Sequence, residues 1–483
     1  MHGVAYFRDL LSRLEDMRAG DMLLFTDWRG DPDQHLDGAG HEVGARFAAA
    51  ARRGVLVRGL VWRSHLDKLA FSASQNRHLG QEIIAAGGQC ALDMRVRPLG
   101  SHHQKAVVLR HPGRPLADIA YVGGIDLCHS RRDDERHLGD SQRQTMAACY
   151  GERPPWHDAQ LAITGPAVGD VETVFRERWD DPAPLSRSPI RMVANHLRRG
   201  TTNPGPLPPQ LPDPPECGEH AVQILRTYPV RHPGYPFAPQ GERSVARGYA
   251  KAIGRAARLI YLEDQYLWSV EAAILFAAAL RRSPELRMIV VIPGYPDQDG
   301  SLSMAPNLVS RAGAIAILRK AGGSRVAVYA LENHHGTPVY VHAKICSIDD
   351  RWVTVGSDNV NRRSWTHDSE LTCAVMTTGA TQGGLARQLR LQLAAEHLDL
   401  ADERAATIVA GDPHEMFDAF TASAVRLDAW HAVGSPGPRP PGRLRAYTQA
   451  SQGAFTHLWS SAAYRIVYDP DGRTPLNRWR GRY

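Results

Sequence analysis

The 483-residue chain lacks any apolar run near the ~20 residues that a bilayer-crossing helix requires. Its longest helical apolar stretch, EAAILFAAAL from Glu271, is far too short, so the protein is expected to be soluble. The opening MHGVAYFRDLLSRLEDMRAGD carries acidic residues and no continuous apolar core, which does not read as a secretory signal. The six cysteines (Cys90, Cys128, Cys149, Cys217, Cys346 and Cys373) show no CxxC spacing. Several sit in apolar, strand-like contexts where cysteine packs as a small hydrophobe, so a reducing, cytoplasmic setting is expected. Aromatic residues are not regularly interleaved with basic ones, which removes the usual signature of single-strand nucleic-acid stacking. His102, His334, His335 and His367 lie near each other's motifs, but no acidic or cysteine spacing completes a zinc pattern. They are expected at the rim or in loops, and no metal is expected.

The chain is long enough for two to four domains on a prior of ~150 residues each, and 43% hydrophobic residues supply a substantial core. TTNPGPLPPQLPDPPECG (201–218) is too proline-rich for a helix or central strand and reads as a linker. It separates halves at 1–200 and 219–400, followed by an extension over 401–483 with a second break at GSPGPRPPGRLR (434–445). The aromatic residues of that extension (Trp459, Tyr464, Tyr468, Trp479 and Tyr483) are expected to pack on the core. LSRSPIRMVANHLRRG (185–200) is read as a solvated linker helix. The net charge of +6 favours an anionic surface or substrate without choosing which.

Residues 339–359, VYVHAKICSIDDRWVTVGSDN, place His342 and Lys344 two apart on a strand, hence on one face, a proton carrier beside a positive charge. Gly356, Ser357 and Asn359 end the next strand and are small or amide-bearing, suited to close approach by an anion. One such pattern recurs by chance, but SHHQKAVVLRHPGRPLADIAYVGGID repeats it with His103, Lys105, Gly123, Gly124 and Asp126. Residues 21–28, 42–54 and 83–96 likewise answer 258–268, 271–283 and 317–330, so the chain is a long internal duplication. Each half is expected to be a mostly parallel sheet flanked by helices, an α/β fold with a pseudo-two-fold axis. Two hairpins meeting at that axis would bring two histidines and two lysines to one phosphodiester. One imidazole would attack phosphorus while the other protonates the leaving oxygen, and the ammonium groups would stabilise the non-bridging oxygens.

Three acidic residues fall near the motifs. Glu263 ends an apolar strand, and Asp368 and Glu370 follow the second motif, where each could fix an imidazole tautomer. For Asp368 a surface ion pair stands as an equal reading. Asp126 occupies the position of Asn359 and either lines the pocket or caps a turn.

The paired H-x-K patterns, with the trailing VGSDNVNRRSWTHDSE and YVGGIDLCHSRRDD, resemble the phospholipase D superfamily and its two HKD motifs. The resemblance spans most of residues 15–400, and HHQK with VGGIDLC looks most like the phospholipid-acting branch. It implies His103, Lys105, His342, Lys344 and Asp349 as catalytic residues. It implies Asp118, Gly124, Asp126, Glu263, Ser357, Asn359 and Glu370 as supporting ones. His103 is then the nucleophile and His342 the acid, in a reaction through a phosphohistidine without a metal or other cofactor. The first copy departs from the pattern, since Arg110 stands where Asp349 stands in the second. Asp118, beyond the loop, is the candidate replacement. Activity is expected to survive, with Arg110→Asp changing it little if Asp118 or the loop has compensated and a large gain marking an impaired first motif.

The expected function is cleavage of the distal phosphodiester of phospholipids, with transfer to an alcohol as an extension of the same chemistry. A nuclease using the same two histidines, and a catalytically weak lipid- or nucleic-acid-binding homologue, stand as alternatives. The chain is expected to be monomeric and to contact an anionic membrane surface peripherally, with nucleic acid the less favoured partner.

Overall fold

The computed structural model describes residues 1–63, 73–198, 200–299, 301–377, 384–448, 464, 468–480 and 483. The first sheet contains β1 (Met22–Asp27), β2 (Leu56–Trp62), β3 (Gln89–Asp93), β4 (Ala106–Arg110), β5 (Ile119–Gly123) and, beyond the short β6 (Trp156–His157), β7 (Gln160–Ile163). The second is built from β8 (His220–Tyr228), β9 (Glu242–Arg243), β10 (Leu259–Glu263), β11 (Arg287–Val291), β12 (Val326–Glu332), β13 (Pro338–Val341), β14 (Ile345–Ile348), β15 (Trp352–Gly356), β16 (Glu370–Thr377) and β17 (Leu444–Ala446).

The duplication is explicit in the topology. The order β3-β2-β1-β4-β5-β7 of the first sheet recurs as β12-β11-β10-β14-β15-β16 in the second. Register agrees to the residue, because Thr26 pairs with Ala106, just after Lys105, and Glu263 pairs with Ile345, just after Lys344. In each half only the first three strands run parallel; the hairpin strands and their neighbour are antiparallel. The sheets are therefore mixed rather than mostly parallel, because strands joined by a short hairpin must run in opposite directions.

Helices cover both sheets. α1 (Gly3–Asp16), α2 (Val43–Arg52) and α3 (Ala73–Ala85) cover one face of the first, where Phe7, Leu10, Phe47 and Leu79 pack on Leu23 and Phe25. α4 (Ala167–Trp179) joins the central core described below, and α5 (Pro189–Leu197) lies just before the proline-rich segment, with Ile190, Val193 and Leu197 facing solvent. α6 (Ser244–Ile253), α7 (Val270–Arg282) and α8 (Ser301–Gly322) cover the outer face of the second sheet. A central core joins Leu24, Val108 and Val122 of one sheet to Tyr261, Ile345 and Val355 of the other. α4 and α10 (Leu385–Leu398, after the one-turn α9, Arg362–Thr366) pack into it. Strands buried on both faces explain why β1, β10 and β14 read as continuous apolar runs.

Of the tail aromatics, Tyr464 is buried and donates to the Trp268 carbonyl, and Tyr483 packs on Trp365, but Trp479 is exposed. Trp459 lies outside the described residues. Cys90, Cys128, Cys346 and Cys373 are buried free thiols, while Cys149 and Cys217 are exposed. Among the described residues, no helix is long and apolar enough to cross a membrane.

Candidate active site

Two chain crossings join the halves where the hairpins begin. β6 leaves the first half to pair with β13 of the second, and the His342 N–H donates to the His157 carbonyl at 2.7 Å. Reciprocally, His102 bridges to Ser369, and the His103 N–H donates to the Ser369 carbonyl at 2.9 Å. Each crossing carries a carboxylate to the other half's histidine. Asp158 Oδ2 lies 2.6 Å from His342 Nδ1, and Glu370 Oε2 lies 3.0 Å from His103 Nδ1. Both histidines thus have one nitrogen fixed and the other, Nε2, free of that contact.

His103 and His342 line a common pocket of about 670 Å³. Trp28, Trp62, Trp156, Tyr266 and Trp268 form its apolar walls, and Asp126, Arg131, Gln265, Asn359 and Glu370 add polar groups. The two lysines are held alike, each donating to the carbonyl of its own motif histidine. Lys105 also pairs with Asp126 at 3.3 Å, and Lys344 donates to Gln265 Oε1 at 3.2 Å. The Asn359 amide oxygen is buried without a partner among the described residues, leaving that amide free to orient toward a ligand.

Burial, reinforced by Lys105 and Lys344, holds His103 well below the usual imidazole range. Burial, then Lys344 and Arg131, does the same to His342, so the surroundings of both rings favour the neutral form. Burial also pushes Lys344 down to about 8, with Asp158 opposing. Burial and the neighbouring Asp368 carboxylate push Glu370 up to about 8. Burial and Asp126 raise the Asp27 carboxyl well above its usual range; burial opposes the Asp126 charge too, but Lys105 and Arg131 outweigh it and hold that carboxyl low.

The supporting residues divide. Gly124 packs so close that a β-carbon there would lie 2.2 Å from Asp158 Oδ1, so its lack of a side chain makes room for the His342 partner. Ser357 donates to Glu370 and also lends its oxygen to the Leu371 N–H. Asp368 lines the pocket and is paired with Arg363 at 2.6 Å.

Three expected site residues are placed elsewhere. Asp349 accepts from the N–H groups of Ala257, Arg258 and Leu259 at 2.8, 2.8 and 2.9 Å, fastening the hairpin turn to the entry of β10 rather than reaching the pocket. Asp118 pairs with Arg110 at 2.9 Å and with His111, far along the first hairpin from its histidine. Glu263 lies behind the pocket, 2.7 Å from His157 and 2.8 Å from His397. His102, expected at the rim, is fully buried between Ser369 and Asp93. Asp158 was not foreseen. It is the register counterpart of Glu370, since Gly123 pairs with Gln160 as Gly356 pairs with Thr372, but the longer first-half segment after Asp126 hides the match.

Residues 85–202 match the family model for phospholipase D, and residues 250–389 match that for the phospholipase D-like domain of cardiolipin synthase. The chain belongs to the phospholipase D superfamily. Among curated relatives, it is 26% identical over 382 residues to phospholipase D alpha 4 of Arabidopsis thaliana, covering 62% of this chain and 48% of that one. It is 24% identical to phospholipase D alpha 1 of Cynara cardunculus, covering 77% and 60%. The chain thus spans about half the length of these phospholipases D. The solved structure of phosphatidylserine synthase from Haemophilus influenzae Rd KW20 shares the fold, with TM-score 0.53 at 13% identity over 90% of this chain and 93% of that one.

Proposed function

We propose that the protein is a phospholipase D-type phosphodiesterase that cleaves the distal phosphodiester of phospholipids through a covalent phosphohistidine. The observation that carries this reading is the pair of histidines facing one pocket, each oriented by a carboxylate from the opposite half. His103 Nε2 attacks phosphorus, the P–O bond to the head-group alcohol breaks, and His342 delivers a proton to the departing oxygen. Water then attacks the phosphohistidine, His342 takes its proton, and the P–N bond breaks. An alcohol in place of water gives transfer. Lys105, Lys344 and the Asn359 amide balance charge on the non-bridging oxygens. The substrate anion offsets Lys344 and Arg131, which together with burial depress His342, and the buried Asp158 beside it stabilises the imidazolium the acid step needs.

The relatives named phospholipase D support a lipid over a polynucleotide. Peripheral contact with an anionic membrane surface and a monomeric state accompany the reading. The test is head-group release from mixed phospholipid vesicles, with and without a primary alcohol, beside single-stranded and duplex DNA. Release lost in both His103→Ala and His342→Ala supports it. Cleavage of DNA alone moves the same chemistry to a nuclease, and binding of either substrate without turnover makes the chain a binding homologue.

A further inference from the structure

Behind the second histidine lies a buried cluster that the phosphodiester chemistry does not use. His137 comes from the loop before β6, His157 from β6, Glu263 from β10, and Glu396 and His397 from α10. Glu396 Oε1 lies 2.9 Å from both His137 Nε2 and His157 Nδ1, and one ligand atom from each of the three falls within 4.8 Å of the others. On its far side His157 Nε2 meets Glu263 at 2.7 Å, and Glu263 meets His397 at 2.8 Å. We propose that His137, His157 and Glu396 bind a divalent transition-metal ion, zinc by ligand type, at a site separate from the reaction pocket.

Four observations carry the site. Two imidazoles and a carboxylate are a ligand set that borderline divalent ions favour over calcium or magnesium. Both imidazoles already have the outer partners of metal-bound histidine: His137 Nδ1 faces the Trp156 carbonyl at 3.2 Å, and His157 Nε2 faces Glu263. Each ring therefore turns its remaining nitrogen toward Glu396. Charge leaves room for a cation: two carboxylates flank His157, and among the described residues no lysine or arginine side chain pairs with either, their positive neighbours being the histidines themselves and, near Glu396, the Met1 ammonium. In the first half the counterpart of Glu263 is Thr26, and the guanidinium of Arg178 from α4 sits there, 2.8 Å from Thr26 and 3.2 Å from Asp93. Finally, a cavity of about 40 Å³ borders His137, His157 and Glu396, room for a water as the fourth ligand.

A tetrahedral zinc with bonds of about 2.0 Å sets its ligands roughly 3.3 Å apart, so the side chains must open by about half an ångström. The ion would staple β6 to α10. Because the His157 carbonyl receives the His342 N–H and Asp158 follows it, such a staple steadies the second histidine without touching substrate.

The test reads metal rather than turnover, so it stands apart from the proposed function. The full chain, purified from zinc-supplemented cells, is expected to retain about one zinc per molecule by elemental analysis. Cobalt(II) added to metal-stripped protein is expected to give the intense visible bands of a tetrahedral site, bleached by zinc. His137→Gln and Glu396→Gln should each weaken zinc retention roughly tenfold or more, and His431→Gln, remote from the cluster, should not. A wild-type chain with neither retained zinc nor cobalt bands overturns the proposal, and so do folded His137→Gln and Glu396→Gln proteins with undiminished zinc.

Discussion

The two hairpins that carry the histidines end in opposite charges. In the second, Asp349 accepts three N–H groups from the segment entering β10 and takes a left-handed backbone, φ 53°. In the first, the carboxylate is on the other partner: Asp21, at the entry of β1, accepts the Arg18 N–H and pairs with Arg114 of the hairpin at 2.5 Å. Arg110, standing where Asp349 stands, turns inward, pairing with Glu172 and Asp118 and donating to the Pro212 carbonyl. The same tie between turn and strand entry is thus made with the charges exchanged. The aspartate of this motif is a fastener of the fold, and its loss from the first half removes nothing from the pocket.

The comparison breaks most sharply at the histidines. His103→Ala and His342→Ala are each expected to lower kcat by roughly 10⁴-fold or more, but only His342→Asn should accumulate a phosphoenzyme in rapid quench. Equal intermediate in both variants rejects the division of labour. Asp158→Asn and Glu370→Gln come next, at roughly 10²- to 10³-fold in kcat with little change in KM; an effect from one alone would show that the reciprocal crossings are not equivalent.

Arg110→Asp is expected to cost about 3 kcal/mol of stability in denaturant melts, because it gathers a third carboxylate around Asp118 and Glu172 at a fully buried place. A substitution there that leaves stability unchanged would refute the structural role of the Arg110 network. Asp349→Ala should cost about 1–2 kcal/mol through its three lost acceptor bonds while leaving kcat within about twofold. A collapse of kcat in folded Asp349→Ala would return that residue to the chemistry.

The smallest effect concerns pH. Lys344 is cationic below its pKa of about 8 and loses its charge as pH rises through that value. Activity is therefore expected to decline above pH 8, and a kcat profile flat to pH 9 would show that the Lys344 charge is not needed.

Much of this was readable along the chain. The repeat itself predicted a second copy of the H-x-K segment and its hairpin, but His342 and Lys344 lie in the break between β13 and β14, and His103 and Lys105 just before β4, rather than on a strand as the alternation suggested. Glu370 was visible as a carboxylate trailing the second motif. Asp158 was not, because the 31 residues between Asp126 and Asp158 hide a spacing that takes only 10 between Asn359 and Glu370. Glu263 was singled out because it ends an apolar strand that precedes the second motif, but a strand end has two faces, and the side chain points away from the pocket to His157 and His397.

The sequence by itself determined the duplicated α/β halves and the repeated histidine and lysine pairs, because periodicity and repeated spacing are local properties that survive in one dimension. Tertiary structure alone decided which carboxylate serves which histidine, that Asp349 and Asp118 fasten turns, and that His137, His157 and Glu396 meet. Those contacts join residues more than 180 positions apart, or depend on where a turn's hydrogen bonds find their donors, and nothing in local propensity encodes either.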